Sequence, residues 1–271
     1  KTEAARRALT GAGLVVHMAA DIGSLTYMHD HQADIMTNNA AIDAAVYPAM
    51  VEHGITWVVY SSSSMVFENA PTFPYTEADL PSVRLPTNIY GFSKLSGEYF
   101  CRAFEGQHGL NYTIIRYHNV YGPGEEQKGT SAGDTHVIPA LIKKVMSGQY
   151  PLEFLGDPSA TRPFTYIDDA VEATVRIVEM ALEGEARVEN EDFNIGNSVS
   201  HTILELGQTI WKHFGDEREF RYVVKNTQAQ TAHRREVDMT KITQTTGWQP
   251  RTSLDDGLEL TAAPMKQTKQ V

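Results

Sequence analysis

Tyr90 and Lys94 stand four residues apart, and a run of serines, Ser61-Ser62-Ser63-Ser64, lies upstream of them. On a helix that spacing puts both side chains on one face, about one turn from each other. A free phenol loses its proton near pH ~10, and a nearby ammonium favours the phenolate. The pair can therefore act as a base toward a substrate hydroxyl, with a serine hydroxyl sharing the proton and holding the oxygen in place. The spacing alone is weak, because Tyr-x-x-x-Lys is expected roughly once by chance in a chain of this length. Its context gives it weight. Val58-Val59-Tyr60 is a short β-favouring run that delivers the serines to the end of a strand, where open α/β sheets bind ligands.

The elements that must position these groups can be read on either side of them. Residues 14–20 read as a buried parallel strand ending in small side chains, with Asp21-Ile22-Gly23 as the loop beyond it. Residues 55–61 and 111–116 read as further strands, and 193–196 as a last one returning to the same sheet. Between the first two, residues 32–53 predict a helix closed by Gly54, with Pro48 expected to kink or break it. Pro86 and Thr87 precede a helix carrying Tyr90, Lys94 and Cys101. At ~1.5 Å per residue Cys101 lies about 16 Å beyond Tyr90 along the axis, so it is read as packing.

Residues 69–88, rich in proline and acidic side chains, read as a long loop over the site. Downstream, 137–146 predict a helix, 152–155 a strand, and Asp168 the N-cap of a helix running to about residue 183. Thr202 and Glu205 form a capping box opening a helix whose apolar face is Ile203, Leu206, Ile210, Trp211 and Phe214. His29, His31 and Asp34 do not share a helical face, so no metal site is expected there. From residue 266 a polar tail is expected to fray.

At 271 residues and 41% hydrophobic, the chain can bury one substantial core, or a main domain plus a smaller lobe. No stretch approaches the ~18 apolar residues of a membrane span, and no signal peptide is read. The single cysteine excludes an intrachain disulfide framework and suits a reducing cytoplasm, the expected location. A formal charge of −11 argues against a nucleic-acid binder, whose footprint is basic, and leaves room for a phosphorylated substrate held by a few local cations. The chain opens at Lys1 inside an amphipathic segment, and Gly11-Ala12-Gly13 precedes a strand rather than opening a helix. The glycine-rich turn that seats a dinucleotide pyrophosphate is thus not seen, and the expectation is an N-terminally incomplete form with half a cofactor site.

Motifs along nearly the whole chain carry a resemblance: Val15-Val16-His17-Met18-Ala19-Ala20, the Ser-Tyr-Lys set, Arg116-Tyr117-His118-Asn119-Val120-Tyr121-Gly122-Pro123, Arg162-Pro163-Phe164-Thr165-Tyr166-Ile167-Asp168-Asp169, Phe193-Asn194-Ile195-Gly196 and Gly247-Trp248-Gln249-Pro250. Together they resemble the extended short-chain dehydrogenase/reductase family, in its nucleotide-sugar epimerase/dehydratase branch. The resemblance implies an α/β, Rossmann-like doubly wound parallel sheet, here N-terminally incomplete, with a smaller C-terminal substrate-binding lobe. Residues 1–122 would be a partial NAD-binding domain, and 123–271 mainly the lobe. It also implies NAD as cofactor, a nucleoside-diphosphate sugar as substrate, and a homodimer formed through helices around 40–50 and 90–104.

By the same resemblance Ser63, Tyr90 and Lys94 are catalytic. Ala19, Ala20, Asn39 and Ser61 join Tyr90 and Lys94 at the cofactor. Asn119, Lys128, Arg162 and Arg235 join Ser63 at the substrate. The residues themselves allow plainer roles: a tight turn at Ala19-Ala20, a solvated polar face at Asn39, a solvated charge at Lys128 and a surface ion pair at Arg235. Ser64 and Met65 occupy positions where dehydratases carry Asp-Glu, so elimination is disfavoured. Relatives that invert carbons 3 and 5 carry a cysteine where Met65 stands and a lysine at Lys128; a thioether has no proton to give. The expected reaction is therefore a 4-epimerase-type oxidation and re-reduction, with 3,5-epimerisation as the alternative. A non-catalytic sugar-nucleotide or partner-binding protein on the same scaffold is the alternative from another class.

Overall fold

Alternation along the strands decides the layering. In the strand Trp57–Ser63 nearly every residue is buried, as expected of a strand covered on both faces. Val58 and Tyr60 point into one core with Tyr47, Met50, Cys101 and Ile114, whereas Trp57 and Val59 point into another with Ile115, Ala173, Ile177 and Phe193. A period of two thus sends successive side chains to two separate cores.

The computed structural model describes residues 2–125, 136–225 and 232–267. Its main sheet is parallel throughout, in the order Val15–His17, Trp57–Ser63, Asn111–Tyr117, Glu191–Ile195. Helices Gln32–Glu52 and Ile89–His108 pack together on one face, and Ile167–Leu182 covers the other. The helix carrying Lys94 lies very close to the sheet: a Cβ at Gly97 would fall 1.8 Å from the Tyr60 hydroxyl oxygen. A separate cluster joins helices Val137–Met146, Ile203–Phe214 and Leu254–Gln267 to the parallel strand pair Leu152–Leu155 and Tyr222–Lys225.

Several expectations shift. The first strand is shorter than 14–20, and the second begins two residues late and runs through Ser63, so the serines end the strand itself. The Gln32–Glu52 helix runs unbroken past Pro48, because Tyr47, Ala49 and Met50 around it are fully packed. Tyr166, not Asp168, is the N-cap of Ile167–Leu182; Asp168 lies in the first turn, where a carboxylate still favours the helix's positive end. Residues 69–88 are less a cover over the site than a packed wall. Tyr75 stacks on Phe67, Glu77 accepts from the Asn194 backbone N–H at 2.7 Å, and none of the segment lines the main cleft. Residues of Ile167–Leu182, with Ile242 and Trp248, pack in the same cluster as Ile115 and Phe193 of the sheet. Among the described residues no helix is long and apolar enough to cross a membrane.

Candidate active site

Asn88 starts the helix that matters most. Its side chain accepts from the backbone N–H groups of Tyr90 (3.0 Å) and Gly91 (3.3 Å), while Glu68 holds the N–H groups of Thr87 (2.7 Å) and Asn88 (2.9 Å). This cap places Tyr90 in the first turn, where the helix dipole favours negative charge, and Lys94 one turn later. Gly109, at φ 66, ends the helix in a left-handed cap.

Both side chains are buried yet line a cleft of ≈ 580 Å³, together with Ser61 to Met65, Ala20, Asn119 and Arg235. Burial pushes the Tyr90 phenol up to about 12, against a hydrogen bond with the Ser63 side chain. Burial lowers the Lys94 ammonium to about 8, opposed by the charge of Asp43. Lys94 Nζ donates to the Ser61 carbonyl at 2.6 Å and lies 5.2 Å from the centre of the Tyr60 ring. The phenol is therefore held through Ser63 and the ammonium through Ser61, on neighbouring residues of one strand end. Ser63 Oγ also accepts from the Met65 N–H at 3.2 Å, and Ser62 donates to Glu98 at 2.7 Å.

The other expected residues divide. Ala20 lines the cleft, whereas the neighbouring Ala19 does not and is exposed. Asn39 is a buried brace: it accepts from the Asp21 N–H at 2.5 Å, and donates to the Asp21 carbonyl at 3.1 Å and to Ser93 Oγ at 3.0 Å. It fixes the loop after the first strand without reaching the cleft. Asn119, at φ 44, stands on the cleft wall with its side-chain oxygen buried and without a hydrogen-bond partner. Arg235 is buried on the same wall and donates to Met65 Sδ at 2.8 Å. Arg162 is buried outside the cleft lining; it donates to the Thr161 carbonyl at 2.6 Å, and burial together with the charge of Arg235 lowers it to about 9. Lys128 lies outside the described residues.

Three groups escaped the sequence reading. His136 and Glu125 are hydrogen-bonded to each other on the cleft wall, at the two ends of the sequence segment containing Lys128, and burial lowers the His136 imidazole. Nothing in their spacing announces the pair; the only signal was a histidine just before the apolar periodicity of Val137–Met146. Asp43 is the third, buried behind Lys94 and bonded to His17 Nε2 at 2.9 Å.

The arrangement can hold a substrate hydroxyl between Ser63 and Tyr90 and accept its proton. The residues fit a dinucleotide's reactive end. Met18 and Ile22 stand bare on the cleft wall, 57% and 51% exposed, offering apolar surface to a flat ring, and Lys94 lines the same cleft as a hydrogen-bond donor. The Asn119 side-chain oxygen, an acceptor, fits a hydroxyl donor, and the Arg235 guanidinium fits an anionic group in the same cleft.

Residues 1–196 match the model of the NAD dependent epimerase/dehydratase family. Among curated proteins, the chain is 27% identical over 257 residues to GDP-mannose 3,5-epimerase 1 of Oryza sativa subsp. japonica, with 93% of this chain and 64% of that protein covered. It is 28% identical over 254 residues to GDP-L-fucose synthase of Escherichia coli (strain K12), covering 90% and 77%. Among solved structures, a UDP-glucose 4-epimerase of Thermotoga maritima with UDP-glucose superposes at TM-score 0.84 and 26% identity, over 99% of this chain and 82% of that one. A UDP-glucuronic acid 4-epimerase of Bacillus cereus, in complex with UDP-glucuronic acid and NAD, superposes at TM-score 0.83 and 26% identity, over 97% and 78%. The chain thus spans less than two thirds of the rice protein's length.

Proposed function

The chain belongs to the NAD dependent epimerase/dehydratase family, and from that premise we propose that it is a 4-epimerase-type enzyme acting on a nucleoside-diphosphate sugar with NAD. Bound NAD supplies the hydride acceptor and donor. Tyr90 takes the proton of the sugar hydroxyl, aligned by Ser63, and returns it after the transient ketone is reduced on its other face. Lys94 holds the ribose and stabilises the phenolate that burial otherwise disfavours. Ala20, Asn39 and Ser61 shape the cofactor side. Arg235 and Lys128 serve the diphosphate, Arg162 adds its charge from outside the cleft lining, and Asn119 meets the substrate. The homodimer through helices around 40–50 and 90–104, the cytoplasmic location, and the division into a nucleotide-binding part to 122 and a substrate lobe beyond it belong to the same proposal.

The observation that carries this reading is the place of Met65. It lines the cleft beside Tyr90 and Ser63, and its sulfur accepts from Arg235, so the position next to the reacting carbon offers no exchangeable proton. Inversion at the oxidised carbon needs none. A second reading, 3,5-epimerisation, is favoured by one observation, the His136–Glu125 pair on the same wall, which can move a proton at carbon.

Turnover of UDP- and GDP-sugars in D2O separates the two. A 4-epimer without deuterium on carbon is expected, whereas solvent deuterium at adjacent carbons sinks the 4-epimerase reading. Tyr90→Phe should lower kcat by ~10²–10⁴-fold with little change in substrate affinity. An unchanged kcat removes Tyr90 from the mechanism.

A further inference from the structure

Lys94 is 3% exposed, and a buried ammonium is expensive unless a negative charge answers it. Its hydrogen bond goes to a neutral carbonyl, that of Ser61. The titratable groups around it come from every packed element: Tyr60 from the second strand, His17 from the first, Asp43 and Tyr47 from Gln32–Glu52, and Tyr90, Glu98 and Cys101 from its own helix. Burial drives the Tyr47, Tyr60 and Tyr90 phenols and the Cys101 thiol upward, leaving them neutral. The Glu98 charge is engaged by Arg116, at 2.8 Å on each carboxylate oxygen. Asp43 differs. It is 4% exposed and bonded to an imidazole rather than to a guanidinium or ammonium. An imidazole ring holds the carboxylate by a hydrogen bond without being the fixed cation that a guanidinium or ammonium is.

The connection to Lys94 runs through the Tyr60 ring. His17 meets Tyr60 edge-on, ring centres 5.6 Å apart at 70°, and Lys94 Nζ lies 5.2 Å from the same ring centre. His17 also packs edge-on against Tyr47 at 6.0 Å. The imidazole is thus wedged between two aromatic rings and holds the carboxylate in one orientation.

We infer that Asp43, clamped by His17, is a positioning residue that supplies the counter-charge for the buried Lys94 ammonium from the neighbouring helix on the same face of the sheet. The inference rests on the reading of Lys94 as part of the proton-transfer site, but its test does not need turnover. Asp43 acts through space, and it is the charge that opposes burial at Lys94. Without it the lysine would become neutral at lower pH, and the phenolate would lose its stabilising partner.

The Lys94 ammonium is titrated directly by NMR of lysine labelled with 13C and 15N, its signal assigned by its loss in Lys94→Met. Asp43→Asn keeps an oxygen to accept from His17, so the fold has its hydrogen bond while the charge is gone. The Lys94 midpoint should fall by about one pH unit in this variant. An unchanged midpoint overturns the proposal. Should the variant fail to fold, the wild-type protein decides. Lowering the pH through the titration of the Asp43 carboxyl carbon should step the Lys94 signal at the same midpoint, and no step overturns the proposal. In turnover, the alkaline limb of kcat/KM should move to lower pH in Asp43→Asn, a shift that mere loosening of the fold would not produce. A wild-type chain without turnover, but with the Lys94 midpoint moved in the variant, supports Asp43 and refutes only the catalytic reading.

Discussion

Two sets of buried arginines lie within this fold, and burial has opposite net effects on them. Arg116 is fully enclosed, yet Glu98 at 2.8 Å and Asp192 at 2.5 Å overcome the cost of burial and raise its affinity for the proton. Lys241 completes the chain by donating to the far oxygen of Asp192 at 3.0 Å. Arg162 and Arg235 are as deeply buried, but burial wins there, and Arg162 is lowered to about 9 with the charge of Arg235 adding to the effect. The first set is architecture, tying the helix of Lys94 to two strands. In the second, burial disfavours the positive charge, which an anion beside it would favour again.

That contrast can be broken in four ways, from the largest effect down. Arg116→Gln leaves the buried Glu98 with only the half-exposed Arg102, at 3.6 Å, as a cation, and should cost ~3–5 kcal/mol in urea unfolding. A loss below ~1 kcal/mol would mean the ion pair is not what holds the two layers. Arg235→Gln should weaken UDP or GDP binding, read by calorimetry, by ~10–100-fold, the worth of one charge-assisted hydrogen bond. Its unfolding midpoint should move less than that of Arg116→Gln, because burial already disfavours the charge that is lost. Equal losses of stability in both variants would erase the distinction.

The third test uses His118, buried between the two sets and pushed down to about 3 by burial, with Arg235 and Arg116 adding to it. An unfolded imidazole takes its proton below ~6.5, whereas the folded one waits until about 3, so the unfolded state binds more protons in that window. Stability should therefore fall as pH drops from ~6.5 toward 3, by up to ~1.4 kcal/mol per unit from this group. His118→Gln should flatten that slope when urea midpoints at pH 7 and pH 4.5 are compared, and an unaltered slope would assign it elsewhere. The smallest effect is Arg234→Ala. This immediate neighbour of Arg235 pairs with Glu236 in solvent, and both melting temperature and nucleotide binding should stay where they are.

What the sequence discloses follows the range of each interaction. Helix Val137–Met146, strand Leu152–Leu155 and the Thr202–Glu205 capping box stand where local pattern puts them, since each depends on residues a few positions apart. Tyr90 and Lys94 are legible for the same reason. Asp168 shows the limit: an acidic residue at a helix start looks like a cap, but Tyr166 takes that position when the preceding Thr165 pairs with Val120 in a short parallel ladder. His17 with Asp43, and Glu125 with His136, were invisible. Each pair joins residues whose proximity is created by packing between elements, and no periodicity records that. Arg162 and Arg235 stood in recognisable motifs, but only the folded structure separates Arg235 on the cleft wall from the equally buried Arg162 outside the lining and from the exposed Arg234.

Gly97 sits three residues beyond Lys94, and the Tyr60 hydroxyl fills the space its side chain would take. The absence of a single carbon there acts as a gauge, setting how far the helix stands off the sheet and hence how deep the ammonium reaches. A methyl at that position would lift the whole helix and draw the lysine back, though no atom of residue 97 touches the reacting groups. The working depth of the site is held by something the polypeptide leaves out.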